Sequence, residues 1–205
     1  MTHTPEEHKA TLHRYLKARR AGLLAKLDGL HEYDLRRPMT RTGTNLLGLV
    51  KHVATTEAEY FGLVFGRPFG HPMPWAGEDA EDNADMWVPE TESVRSILDL
   101  HHAAAAHSDA TIEALSLDAP GVVPWWKPET REVTLQQILV HMGLETAHHA
   151  GHADIIRELI DGSIGYTAGH PNLPPFDEQR WGAYRDGIER AARAAAVAAR
   201  EEIHD

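Results

Sequence analysis

The chain has 205 residues, of which 42% are hydrophobic and 25% are charged, an ordinary composition for a globular protein. Its 31 acidic residues outnumber its 20 basic residues and give a formal net charge of -11, which argues against nucleic acid or an anionic membrane as a partner because both favour clustered lysine and arginine. Cysteine is absent, so the composition excludes disulfides, cysteine-ligated zinc and a thiolate nucleophile supplied by the protein itself.

The length of the chain favours one domain over residues 1–205. No apolar run reaches the length of a membrane span, and the amino-terminal segment lacks the apolar core of a signal peptide. We therefore expect a cytoplasmic protein with no membrane association.

Five helices are predicted, over about residues 5–27, 45–65, 92–115, 134–162 and 177–202. Thr4 with Glu7 and Thr134 with Gln137 have the spacing of capping boxes, and Thr91 is the expected N-cap of the third helix. The pattern predicts an all-α fold, a four-helix bundle with long inter-helix loops and an extra C-terminal helix packed outside it.

Two long connections separate the predicted helices, over residues 66–90 and 117–133. Neither has the alternation of a β-strand, and both are rich in proline, glycine and tryptophan. Loops of this length in a compact domain are commonly functional. Their tryptophans either line a pocket or cap the ends of the bundle, and both interpretations stay open: Trp75, Trp87, Trp125 and Trp126.

The fourth predicted helix carries ionisable side chains where core residues are expected. Apolar positions recur in steps of three and four from Ile138 through Met142 to Ile156, and Glu145 and His149 occupy the same stripe. A buried carboxylate without a partner is costly. Because Glu145 and His149 are one turn apart, we predict that both ligate a divalent metal.

A third ligand has to come from a facing helix, and His52 is the best candidate. It lies beside Leu49, on the flank of the apolar arc of the second predicted helix. Three protein ligands leave coordination positions open, which is typical of a catalytic or ligand-binding site rather than a structural one.

Other ionisable residues near this motif have different predicted roles. His152 is either a fourth ligand or a residue that supports one; Asp154 and Arg157 have the spacing of an i,i+3 salt bridge. His148 points about 100° away from His149 and is not expected to be a ligand. The following histidines are expected to be solvated or at the edge of the core: His101, His102, His107 and His141.

Other site classes fit the sequence less well. A di-iron bundle needs two Glu-x-x-His motifs with further glutamates, and a zincin protease needs His-Glu-x-x-His; neither set is found. A phosphate-binding glycine loop and a Gly-x-Ser-x-Gly nucleophile motif are also missing.

Three stretches of the sequence resemble the DinB/YfiT-like superfamily. They are residues 46–61, residues 123–126 with 133–142, and residues 145–158 (ETAHHAGHADIIRE), of which the last resembles the mycothiol-dependent branch in particular. The resemblance covers about residues 10–185. It implies a four-helix bundle with one divalent metal held by His52, Glu145 and His149, the trio also reached from periodicity. More distant members place histidine where Glu145 stands, whereas the maleylpyruvate isomerases of this branch have glutamate.

The resemblance also implies a chemistry. Its characterised members use low-molecular-weight thiols, so we expect a metal-dependent thiol S-transferase that activates mycothiol, as cosubstrate, for attack on a small electrophile in detoxification. The related isomerases have an additional carboxy-terminal domain, which this sequence does not contain, so a transferase is favoured. The alternatives are a maleylpyruvate-isomerase-like enzyme, a non-catalytic module that binds a metal or small molecule, and a bundle in which Glu145 and His149 only bond each other.

Metal identity and assembly are further expectations. Zinc is the first choice, although two imidazoles and a carboxylate also accommodate nickel, iron or manganese. A free thiol with a pKa of about 8.5 is mostly protonated at neutral pH, and coordination to such an ion would deprotonate it. The oligomeric state stays open, with a homodimer as one candidate because relatives often dimerise.

Overall fold

The computed structural model describes residues 4–77, 79–165 and 173–201, and most of these residues are helical. The helices are α1 (Pro5–Ala25), α2 (Glu32–Arg36), α3 (Leu46–Gly62), α4 (Val94–Ala114), α5 (Leu135–Asp161) and α6 (Glu178–Glu201). The prediction of an all-α fold is confirmed. Within the described residues, no helix combines the length and the apolar composition that a membrane span requires.

The chain divides into two compact units, Met1–His170 and Pro171–Asp205. The first contains α1 to α5, and the second contains α6. Within the second unit, Phe176, which precedes α6, packs against Trp181 in the first turn of α6, with ring centroids 4.8 Å apart. The predicted end of the last helix, residue 202, lies outside the described residues. Its packing outside the bundle and the single domain over residues 1–205 stay predictions.

The ends of the helices follow from local hydrogen bonding. The capping boxes at Thr4 and Thr134 are both present. The predicted N-cap of α4 is wrong: Ser93, rather than Thr91, accepts the hydrogen bond from the Ser96 amide. The reason is a preceding turn, in which the Glu92 amide donates to the Pro89 carbonyl and keeps Thr91 outside the helix.

The core of the first unit is built around α3, which packs against α4 and α5, while α1 packs against α5. Fourteen of the 17 residues of α3 are buried. One apolar cluster fills the end of the bundle around Leu47 and Ile156, and a second fills the other end around Phe61 and Ile138. The centre of α3, which carries His52, therefore faces α5 at mid-length of the bundle.

One short helix and two short strands were not predicted from the sequence. The helix α2 spans five residues, and the strands β1 (Pro120–Val122) and β2 (Glu132–Thr134) form an antiparallel pair with Gly121 opposite Val133. Three-residue strands are too short to show alternation. A Cβ atom at Gly121 would lie 2.8 Å from the side chains of Val64 and Phe65, so glycine allows this hairpin to pack closely against the residues that directly follow α3.

Candidate metal centre

The structure brings His52 of α3 together with Glu145 and His149 of α5. Glu145 Oε1 lies 3.2 Å from His52 Nε2 and 3.0 Å from His149 Nε2. The two imidazole rings meet edge to face, with centroids 4.7 Å apart. Both His52 and His149 thus direct Nε2 at one carboxylate oxygen from opposite helices.

The spacing of these atoms fits a divalent metal ion. One donor atom from each residue of the trio lies within 4.8 Å of the others. Zinc bonds of about 2.1 Å in tetrahedral geometry place neighbouring donors about 3.4 Å apart, close to the two nitrogen–oxygen distances. The side chain of Glu145 is 29% exposed and that of His149 only 11%, so a molecule can approach the trio from the Glu145 side.

A fourth residue, Asp85, completes the environment of His52. Its Oδ2 lies 2.6 Å from His52 Nδ1, opposite the nitrogen that faces Glu145. A carboxylate on the far nitrogen of a histidine fixes the tautomer and the ring orientation, and is the usual support of a metal-binding histidine. Asp85 comes from the 66–90 connection, and no periodic pattern in the sequence marked it.

The connection that carries Asp85 is fastened to one face of α3. The buried Lys51 donates from Nζ to the carbonyls of Ala84 and Trp87, each at 3.2 Å. At the N-cap of α3, Asn45 donates from Nδ2 to the Met86 carbonyl, also at 3.2 Å. The backbone on both sides of Asp85 is therefore fixed to the helix that carries His52.

A close approach at Gly48 makes this attachment possible. A Cβ atom at Gly48 would lie 1.9 Å from the Met86 carbonyl oxygen, a distance that no side chain tolerates. Gly48 lies one turn before His52 on α3, so the absence of a side chain there lets the connection lie directly against the helix.

His52, Asp85 and Glu145 shift one another's pKa values in the direction that favours the charged form of each. Burial alone would lower the pKa of His52, but the hydrogen bonds and negative charges of Asp85 and Glu145 outweigh it and raise that pKa. Burial would raise the pKa of Glu145, but the hydrogen bond to His52 and the charge on His149 outweigh it and lower that pKa. The hydrogen bond to His52 is the main reason why the pKa of Asp85 is lowered.

His149 differs from His52. Burial, followed by the nearby charge of His52, lowers the pKa of His149 and favours its neutral form. Its Nδ1 atom is buried and has no partner among the described residues. Two ionised carboxylates and a neutral imidazole around His52 make a site that favours a cation.

The residues that follow His149 take other roles. The ring of His152 lies 5.4 Å from that of His149 and 4.2 Å from that of His148, and His152 is not part of the cluster within 4.8 Å. The predicted salt bridge between Asp154 and Arg157 is wrong. Asp154 pairs with Lys26 of the α1 C-cap at 2.6 Å, and Arg157 pairs with Asp161 at 2.7 Å, because α1 lies beside this part of α5 and offers Asp154 a cation.

One further prediction fails at His101. This histidine was expected to be solvated or at the edge of the core, yet it is 2% exposed, and neither ring nitrogen has a partner among the described residues. Burial is the main reason why its pKa is lowered to about 4. His102 is exposed, while His107 and His141 lie at the boundary as predicted.

The tryptophans of the connections hold these segments against α3. The indole N–H groups of Trp125 and Trp126 donate to the Tyr60 hydroxyl, at 3.3 and 3.0 Å. Trp75 donates to Thr55 Oγ1 at 2.8 Å. Three of the four tryptophans are thus hydrogen-bonded to the helix that carries His52.

The family model described as mycothiol-S-transferase matches residues 11–162 of the chain. The chain belongs to the mycothiol S-transferase family. The match includes His52, Asp85, Glu145 and His149, and confirms the predicted resemblance to the mycothiol-linked, DinB-like proteins. No curated protein matches the chain. Membership in the mycothiol S-transferase family indicates an enzyme that transfers groups to mycothiol, which supplies a thiol that this cysteine-free chain lacks.

Proposed function

We propose that the protein is a metal-dependent S-transferase that joins mycothiol to a small electrophile. The observation that carries the proposal is the convergence of His52 Nε2 and His149 Nε2 on Glu145 Oε1, next to an open side of the site. In this proposal the three residues are the metal ligands, and zinc is the preferred ion. The ion, when bound, would lower the pKa of a thiol and supply a thiolate near neutral pH.

The residues around the trio have separate tasks in this proposal. Asp85 holds His52 in the tautomer that leaves Nε2 free for the ion. Glu145 contributes the negative charge that offsets part of the charge of a divalent ion, and its partial exposure leaves room for the thiol. His152 is left without an assigned step.

The reaction balances without a redox partner. A bond forms between the sulfur of mycothiol and the electrophilic carbon, the leaving group departs with its electron pair, and the thiol proton passes to solvent. Addition to an activated double bond needs the same nucleophile and returns the proton to the adduct.

The test is conjugation of mycothiol to monochlorobimane, followed by fluorescence, with zinc-loaded protein and with protein treated with a chelator. The proposal predicts conjugation above the uncatalysed rate, its loss on chelation and its recovery when zinc is restored. Glutathione and cysteine, which lack the pseudo-disaccharide of mycothiol, serve as control thiols. Metal-loaded protein without thiol-dependent turnover across chlorinated, epoxide and unsaturated electrophiles would favour a non-catalytic binding module, and turnover of maleylpyruvate alone would favour an isomerase.

A further inference from the structure

A cavity lies under the connection that follows α3. Its volume is about 240 Å³, which is smaller than the pockets of about 300 Å³ or more that hold drug-sized ligands. The last turn of α3, with Leu63 after it, forms one wall and the connection forms the other; beside apolar residues such as Phe69 and Met73, the lining includes two ionisable side chains, Glu59 and His71. Its size and apolar walls suit a ligand with one ring or a short branched chain.

The wall formed by the connection is fixed in place. Phe69, Met73 and Trp75 pack against the apolar cluster that contains Ala54 and Ala58 of α3. Before them, the Arg67 amide donates to the Gly62 carbonyl at 2.9 Å, and its Nε donates to Thr111 Oγ1 of α4 at 3.0 Å. The cavity therefore exists before any ligand arrives, which reduces the entropic cost of binding.

Glu59 is the acidic group among the residues described in the lining of this cavity. Its side chain is half-buried, and it makes no hydrogen bond or ion pair with the residues that the structure describes. Burial, then the negative charge of Asp85, raises its pKa, although the charge of His52 opposes this shift. A half-buried carboxylate without a partner is unfavourable by itself, and a cationic ligand group would satisfy it.

The position of Glu59 relates the cavity to the trio. Glu59 follows His52 by seven residues on α3, which places the two side chains on nearly the same face, about 10 Å apart along the helix axis. The electrostatic influence of His52 and Asp85 on Glu59 agrees with this proximity. A molecule anchored at Glu59 can thus extend along α3 towards the trio.

We propose that this cavity binds the electrophilic substrate, and that Glu59 selects electrophiles with an ammonium group and a small apolar body. The inference rests on the proposed function. In the bound molecule the ammonium group contacts the Glu59 carboxylate, the apolar body lies against Met73, which packs with Ala54 and Ala58, and the electrophilic carbon is at the end nearer the trio. Glu59 is a specificity residue in this arrangement and takes no part in bond making.

The kinetic test uses two benzyl chlorides of nearly equal shape, 4-(aminomethyl)benzyl chloride and the neutral 4-ethylbenzyl chloride. Each reacts by formation of a sulfur–carbon bond and loss of chloride. We expect the wild-type protein to prefer the cationic compound by about tenfold in kcat/KM, the size of a hydrogen bond to a charged group. The Glu59→Gln variant should lose this preference, mainly through KM for the cationic compound, and keep the rate with the neutral one within about twofold.

Glu113→Gln is the matched control, because Glu113 is an exposed glutamate of α4 and its replacement changes the net charge equally. It should retain the wild-type preference. An unchanged preference in Glu59→Gln, or no preference in the wild-type protein, would overturn the proposal.

A binding measurement separates this inference from the proposed function. The inert 4-methylbenzylamine, titrated calorimetrically into protein without thiol or metal, should bind the wild-type protein, bind Glu59→Gln about tenfold more weakly, and fail to bind Ala76→Leu, whose larger side chain fills the cavity. Circular dichroism checks that each variant is folded. Binding that depends on Glu59 in a protein that conjugates no thiol would contradict the S-transferase and retain the cavity, whereas absence of binding to the wild-type protein would contradict the cavity.

Discussion

The imidazole of His52 is contacted on both sides, by Asp85 at Nδ1 and by Glu145 at Nε2. The two contacts have different consequences. The contact with Glu145 is one that a bound metal would replace, whereas the contact with Asp85 is compatible with a bound metal and orients the ring for it. Asp85 is therefore the residue whose loss should weaken metal binding without removing a ligand.

The first prediction is that Asp85→Asn lowers zinc affinity by about 10- to 100-fold, the usual effect of removing a supporting carboxylate. Competition with a chromophoric zinc chelator measures this change. Asp82→Asn is the control, since Asp82 is an exposed aspartate of the same connection and its replacement changes the charge equally. Equal affinities of the two variants would mean that Asp85 has no part in the site.

His101 gives a prediction about acid sensitivity. Its pKa falls from 6.5 to about 4 on folding, mainly through burial. Above pH 6.5 the imidazole is neutral in both states, whereas between pH 6.5 and about 4 the unfolded chain takes up a proton that the folded chain excludes. As the pH is lowered from 6.5 to about 4, the free energy of unfolding should therefore decrease, by up to about 3 kcal/mol.

The variant His101→Leu should lose this part of the acid sensitivity and remove the two unpaired ring nitrogens at this position. Urea unfolding at pH 7 and at pH 5 measures the difference, with His102→Leu as the exposed neighbour that should behave as wild type. If the stability of His101→Leu decreased between pH 7 and pH 5 as much as that of the wild-type protein, the acid sensitivity would arise elsewhere.

At the scale of elements, α3 positions the site because one of its faces holds the connection that carries Asp85. Asn45, Gly48, Lys51 and His52 succeed each other along that face, and each contacts residues 84–87. The site thus depends on a helix–loop contact as well as on the contact between α3 and α5.

Gly48→Ala tests the helix–loop contact. Its Cβ would lie 1.9 Å from the Met86 carbonyl, so the loop has to move and Asp85 moves with it. We expect a lower melting temperature and weaker zinc binding. Alanine normally stabilises a helix by up to about 1 kcal/mol relative to glycine, and Gly151→Ala on the exposed face of α5, where no atom lies within 4 Å of the added group, should show that gain. A gain of stability in both variants would contradict the close contact.

The site shows which of its residues sequence patterns can predict. Glu145 and His149 interrupt an apolar stripe at helical spacing, and His52 could be paired with them because a facing helix had to supply the third ligand. Asp85 lies 33 residues beyond His52 in an aperiodic connection, and its position depends on backbone contacts at Gly48 and Lys51. Such contacts leave no periodic signal in the sequence, so the role of Asp85 beside His52 could not be predicted.

At the scale of the whole molecule, a buried charge network joins three helices of the first unit. Arg20 of α1 donates from Nε to Glu57 of α3 at 2.9 Å and from Nη1 to Asp109 of α4 at 2.6 Å. Arg20 is 5% exposed and Glu57 only 1%. Neither residue was singled out in the sequence, since a buried charge is recognised only when its partner's position is known.

Arg20→Met should destabilise the protein by about 3–5 kcal/mol, because it leaves the carboxylate of Glu57 buried without its cation. The double variant Arg20→Met/Glu57→Leu should recover most of this loss, since an apolar pair of similar volume is often as stable as a buried ion pair. Chemical denaturation provides the values, with Arg14→Met on the exposed side of α1 as control. A double variant less stable than Arg20→Met would mean that the network contributes more than charge compensation.

The bundle itself was predictable because helix signals are local. Two capping boxes and the apolar periodicity placed four bundle helices to within a few residues. The hairpin of β1 and β2 and the true N-cap of α4 escaped prediction, because the first depends on packing against Val64 and Phe65 and the second on a turn at Pro89. In the bundle α3 packs against α5, and this packing brings His52 of α3 together with Glu145 and His149 of α5.

The central claim is that His52, Glu145 and His149 hold one divalent ion, and zinc stoichiometry tests it most directly. Untagged protein that has met no nickel resin is dialysed against zinc and then against buffer, and its metal content is measured by mass spectrometry. We predict one zinc per chain in the wild-type protein and in His148→Ala, whose exposed imidazole lies outside the trio, and almost none in folded Glu145→Gln and His52→Ala. Equal zinc content in all four proteins, or none in any, would contradict the claim.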